Sequence, residues 1–179
     1  MNEAVRQYAP LVIADRLRRQ ATNVWLAATI GSLVWILLII GAPLARVNGF
    51  TAISIPLYSL FSYMCHQISE RSFHLEGEQF GVCSRCFCVY LGLFAGFVIY
   101  PIWRHLQDIE PIPRIWLFLS LVPIGIDWSL GVFGIWENTH LSRLLTGMIL
   151  GVACATFIMP ALVEIARNLT LNRQRKKAA

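Results

Sequence analysis

The stretch FTAISIPLYSLFSYM, Phe50 to Met64, decides how many times the chain crosses a membrane. It is apolar and aromatic, carries no charge and has Pro56 inside it, but it spans only 15 residues. A span needs about 20 mostly apolar residues to cross roughly 30 Å of hydrocarbon. Phe50 to Met64 therefore reads as a half-helix or interfacial segment. Four other stretches are long enough: Val24 to Ala45, Val82 to Trp103, Ile115 to Trp136 and Leu141 to Val163. The first is too long and too far into the chain for a cleaved signal peptide.

Charge placement supports the same count. With four spans and both termini inside, the inner side holds Arg6, Arg16, Arg18, Arg19, Arg104, Arg114, Arg167, Arg173, Arg175, Lys176 and Lys177, which is 11 of the 15 Lys and Arg residues. Arg46, Arg71, Arg85 and Arg143 remain outside. A fifth span would flip everything after it and leave a split of 8 to 7. Inner loops carry the excess of Lys and Arg, so four spans are expected.

Composition agrees. Hydrophobic residues make up 56% and charged residues 14% of the 179, and mean hydropathy is +0.59. A soluble domain averages roughly 45 to 50% apolar and about 25% charged. These values exclude a disordered chain, a secreted disulfide scaffold and a cytosolic enzyme. The net charge of +5 does not indicate nucleic acid, because the basic residues flank apolar spans and no binding motif accompanies them. The expected fold is an all-α polytopic membrane bundle in the plasma membrane, both termini cytoplasmic. A basic segment at 1–23 precedes a transmembrane domain at 24–163 with an outer loop at 46–81, and a basic tail fills 164–179.

Two small-residue stripes mark close helix packing. One is Arg143, Gly147, Gly151 and Ala155; the other is Cys88, Gly92 and Gly96. They also offer faces for a homo-oligomer. Cys88 reads as a packing residue in its stripe, and Cys154 as core.

Four of the five cysteines and three of the four histidines fall at the outer end. Cys83-Ser-Arg-Cys86 opens the second span, and Cys65-His66-Gln67 lies 18 residues before it. Two cysteines three apart at a helix start share one face and have the usual spacing of half a zinc site. Cys65 and His66 complete a Cys3His set for Zn2+, with His74 as a substitute for His66. Redox chemistry competes, since a helix N-terminus stabilises a thiolate. A C-x-x-C pair at the outer end of a four-helix bundle is similar to the quinone-coupled disulfide-forming membrane oxidases and vitamin K epoxide reductases, although the outer loop has only Cys65 for a relay.

Cys65-His66-Gln67, Arg71-Ser72-Phe73 and Cys83-Ser-Arg85-Cys86 leading into Tyr90-Leu91-Gly92 resemble the signature of prokaryotic membrane proteins grouped as domain of unknown function 2085. The resemblance extends through Asp127, Asn138, Arg143, Gly147 and Gly151. Where that family usually has Gly two residues after the second cysteine, this chain has Cys88. The resemblance implies fold, membrane location and metal binding, and no established activity.

Asp127 lies inside the third span, slightly to the outer side of the midplane if the span ends at Trp136. A lone carboxylate there costs about 2.5 to 3.5 kcal/mol on insertion scales. Arg143, across a short turn, is its expected partner. Asp127 and Arg143 are candidate catalytic residues, and Arg71, Arg85 and Asn138 candidate substrate ligands. An enzyme built this way would hydrolyse or transfer a lipid-linked anionic substrate; a transporter or assembly subunit would use the metal for stability alone. No P-loop, dinucleotide fingerprint, H-E-x-x-H or G-x-S-x-G is present.

Overall fold

A computed structural model describes residues 3–110, 112–135 and 139–178. The elements in chain order are α1 (Glu3–Val47), α2 (Thr51–Ser62), a single 3-10 turn (Ser69–Arg71), β1 (Ser72–Leu75), β2 (Glu78–Cys83), α3 (Ser84–Trp103), α4 (Ile115–Val132) and α5 (His140–Ala178). Four helical stretches are long and apolar enough to cross a membrane: Ile13–Val47, Ser84–Trp103, Ile115–Val132 and His140–Lys176. The fold is mostly helical, as expected.

Glycines set two of the helix ends. After α1, Gly49 takes φ 77°, its N–H reaches the Arg46 carbonyl, and the Phe50 N–H reaches that of Ala45 at 2.8 Å. After α4, Gly134 (φ 66°) and Ile135 close the same pattern on Gly131 and Leu130. Both are Schellman caps, in which a left-handed glycine satisfies the last carbonyls. The second cap stops the third span at Val132 and not at Trp136, which lies outside the described residues. Asp127 is consequently five residues from its helix end, about 8 Å at roughly 1.5 Å per residue, and shallower than expected.

The segment Phe50 to Met64 forms α2, with 12 residues too short to span. It folds back against α1, burying Phe61 completely edge-on to Trp35 at 5.3 Å between ring centroids. The loop after it contains a two-stranded antiparallel hairpin, β1–β2, with an irregularity between Ser72 and His74. Its turn residues Glu76 and Gly77 both have positive φ, 51° and 87°, as a type I′ turn requires. Val82 and Cys83 belong to β2, so the second span starts at Ser84.

Helices α3 and α5 make the closest contact in the bundle. A Cβ added at Gly92 would lie 2.5 Å from the Met148 carbonyl oxygen, and one at Gly96 would meet the Ala155 methyl. The two small-residue stripes therefore close on each other within one chain. An oligomer would need other faces, which corrects the expectation drawn from the stripes. Beside this pair, Ala21 of α1 packs with Phe97, Tyr100, Ala155, Met159 and Val163. Trp25 donates its indole N–H to the Phe97 carbonyl at 2.7 Å. Gln20 reaches Thr170 at 3.0 Å, which puts the start of α1 and the end of α5 at the same end of the bundle.

Candidate metal centre

Three local structures deliver three thiols to one point. Cys65 follows α2, its N–H bonded to the Phe61 carbonyl at 3.0 Å. Cys83 ends β2 and caps α3, and Cys86 lies in the first turn of α3. Their sulfurs lie within 4.8 Å of one another. Zinc–sulfur bonds of about 2.3 Å in a tetrahedron place sulfurs about 3.8 Å apart, so the set fits a metal with small side-chain adjustments.

The surroundings favour an anion at Cys83. The Cys83 N–H donates to the Cys65 sulfur at 3.2 Å. The Cys83 thiol is pushed down to about 5, first by a hydrogen bond from the Cys86 thiol, then by the Cys86 backbone N–H and the Cys65 thiol, against burial that raises it. Such N–H···S bonds accompany thiolate ligands and fix their orientation.

Two uncharged side chains that sequence reasoning passed over hold this geometry. Gln67, in a left-handed conformation (φ 48°), donates to the carbonyls of Tyr58 and Gly81, each at 2.8 Å. It thereby pins the residues after Cys65 to α2 and β2 at once. Buried Ser84 donates to the Arg71 carbonyl at 2.9 Å, tying the start of α3 to the 3-10 turn. Gln67 stands inside the quoted Cys-His-Gln motif, and Ser84 inside Cys-x-x-Cys.

The thiols open onto a cavity of about 820 Å³ that Arg71, Arg85 and Arg143 also line. Asp127, buried, pairs with Arg85. The partner of the carboxylate is thus Arg85 and not Arg143. The cause is the α3–α5 contact: a Cβ on Gly147 would lie 2.9 Å from the Arg85 carbonyl oxygen, so Arg85 sits one helical turn from Arg143 across that contact. The Arg85 Nε is buried without a hydrogen-bond partner. Among the described residues no carboxylate pairs with Arg71 or Arg143.

The remaining candidates separate. His66 is exposed and lines the same cavity, but its ring nitrogens are outside the group of clustered donor atoms. His74, on β1, contacts the Ser69 hydroxyl at 3.0 Å. Cys88 is fully buried and abuts the position of a Gly147 side chain, which is the packing role expected of it. Asn138 lies outside the described residues.

The comparisons with known proteins bear on the same residues. The family model described as "Predicted membrane protein (DUF2085)" matches residues 65–157, from Cys65 through α3 and α4 into α5. The chain belongs to this family. The match takes in the three clustered cysteines and all three cavity arginines. Among similar proteins is an uncharacterised protein of Methanocaldococcus jannaschii, 35% identical over 147 residues, covering 79% of this chain and 94% of the relative. Another, from Methanothermobacter thermautotrophicus, is 31% identical over 114 residues, covering 63% of this chain and 95% of the relative. No solved structure matches.

Proposed function

We propose that this DUF2085 protein is a membrane metalloprotein in which Cys65, Cys83 and Cys86 hold Zn2+ at the outer interface, beside a cavity that receives the anionic head of a lipid-linked substrate. The observation that carries this reading is the convergence of three thiols and three arginines on one cavity. Three protein ligands leave a coordination position open, the arrangement of catalytic zinc sites, whereas a fourth ligand closes a structural one. His66, on the cavity wall, is the residue placed to close it. A bound zinc would supply Lewis acidity or an activated water there. Arg71 and Arg143 bind and orient the anion. Asp127 neutralises Arg85 and, among the described residues, is the only buried carboxylate near the cluster, which makes it the candidate general base. The orientation follows from the charge asymmetry of the loops and places both termini in the cytoplasm of a plasma-membrane protein.

The test is metal content together with a free-thiol count on detergent-purified protein. Stoichiometric zinc that disappears in Cys83→Ser and persists in Cys154→Ser supports the reading. A second reading has its own observation, the low position of the Cys83 thiol at a helix start. In that case Cys83 and Cys86 give two electrons and two protons to a quinone and form a disulfide. Zinc-free protein with a Cys83–Cys86 disulfide trapped from cells would replace the metal assignment with this one.

A further inference from the structure

The end of the bundle opposite the cysteines carries its own cavity, independent of the metal. It measures about 410 Å³ and lies between Arg18 and Thr22 of α1 and Pro101, Arg104, His105 and Leu106 around the end of α3. An adjoining hollow of about 280 Å³ shares Arg18 and Thr22 and extends to Arg19. The geometry points to a binding site for the phosphate head group of an anionic membrane lipid.

Arg19 is matched by Asp15 at 3.0 Å, but Arg18 has no carboxylate partner among the described residues. Arg104 is four-fifths buried, with 18% of its side chain exposed, and its nearest carboxylate is that of Asp108 at 3.9 Å. One of its terminal nitrogens donates to the Glu110 carbonyl. Arg167, from α5, bonds the Gln107 carbonyl at 2.8 Å and keeps a buried Nε without a partner. The loop that forms one wall is thus held by one arginine and lined by another, leaving a concave site with more positive than negative charge.

The position of the cavity selects a lipid over a soluble phosphate. The cavity lies where α3 ends, beside Ile102 and Trp103, which are 82% and 58% exposed. An exposed tryptophan at the end of an apolar span marks the head-group level of a bilayer. The apolar side of the wall, Pro101 and Leu106, suits the glycerol and first methylenes of a lipid, while Arg18, Arg104 and His105 suit its phosphate. Basic pockets between spans are recurrent sites for anionic head groups.

The experiment uses the full chain in micelles containing phosphatidylglycerol or phosphatidylcholine, with lipid retention read by native mass spectrometry. The wild type should retain phosphatidylglycerol in preference. Exposed Arg18→Gln should lower that preference about fivefold, and Arg18→Gln with Arg104→Gln should lower it further. Arg114→Gln, an exposed arginine at the same end that does not line the cavity, should behave as wild type. An equal loss in Arg114→Gln would mean a general charge effect and no site. Retention unchanged in Arg18→Gln would overturn the proposal even if the double variant failed to fold. Excess inorganic phosphate is the source control: displacement of phosphatidylglycerol by phosphate would show a soluble anion to be the ligand and remove the lipid assignment. Either result leaves the metal reading of the other end untouched, since no residue is shared.

Discussion

Helices α3 and α4 are of similar length and apolarity, yet they are held in different ways. In the span windows 28% of α3 is buried but only 11% of α4. Glycine shows the contrast most plainly. Gly92 of α3 faces the α5 backbone so closely that a Cβ would collide with it, whereas Gly125 of α4 has nothing within 4 Å of the same position. The α3–α5 pair is specified by shape. Helix α4 is held at the cysteine end by charge, through Asp127 and Arg85. Apolar spans in lipid gain little from hydrophobicity between themselves, so close packing and polar contacts decide their association. The packed pair positions the cysteines and arginines, and the charged contact brings the carboxylate to them.

The largest effect should come from filling the α3–α5 contact. A Cβ at Gly151 would overlap the Val89 carbonyl oxygen and approach the Leu93 nitrogen at 2.7 Å. Both are backbone atoms that cannot rotate away. Gly151→Ala should therefore destabilise by about 3 kcal/mol or more, at the upper end of overpacking costs. Gly125→Ala, in open space within a helix, should be neutral or stabilise by up to about 1 kcal/mol. Thermal unfolding in detergent compares them directly, and equal midpoints would remove the distinction between the two helices.

The next effect concerns the charged contact. Arg85→Gln leaves a buried carboxylate without its partner, a change that costs about 3 to 5 kcal/mol in buried pairs. Adding Asp127→Asn should recover most of that loss. The same cycle with Arg143→Gln should give a coupling below roughly 1 kcal/mol, because Arg143 makes no ion pair with Asp127 among the described residues. A larger coupling for Arg143 than for Arg85 would restore the partner expected from the sequence.

That expectation erred for a physical reason. Asp127 and Arg143 flank one short turn, so chain neighbourhood suggested the pair. Arg85 is 42 residues from Asp127, and only the glycine-mediated approach of α3 to α5 brings it to the same wall. Span number was legible because it depends on apolar run length and charge placement. The limits of the second and third spans at the cysteine end were not: the β2 residues Val82 and Cys83 are as apolar as the helix they precede, and the Gly134 cap acts through backbone conformation. The hairpin has only a weak signal, Glu76-Gly77 between two short strands of mixed polarity, inside a segment whose composition is that of a loop. Spacing located Cys65, Cys83 and Cys86. It could not orient His66, because the chain turns sharply at Gln67 and leaves Cys65 buried and His66 exposed.

The smallest effect sharpens the same contrast between groups built into the packed core and groups on its edge. Cys65, Cys83 and Cys86 pack around Ile39, Phe61 and Val82, and His66 stands outside that cluster on the cavity wall. If three thiolates carry the metal, His66→Ala should weaken zinc binding by about tenfold, the lower end of what removing a neighbouring contact does, with stoichiometry and unfolding midpoint retained. Cobalt-substituted protein gives an independent reading, because its visible absorption reports the donor set. Little change in His66→Ala would mean that the fourth position holds water or substrate. If instead His66→Ala lost metal as completely as Cys83→Ser, the imidazole would be a full ligand reached by rotation of its exposed side chain. The site would then be closed and structural, and the arginine-lined cavity would have to act without the metal.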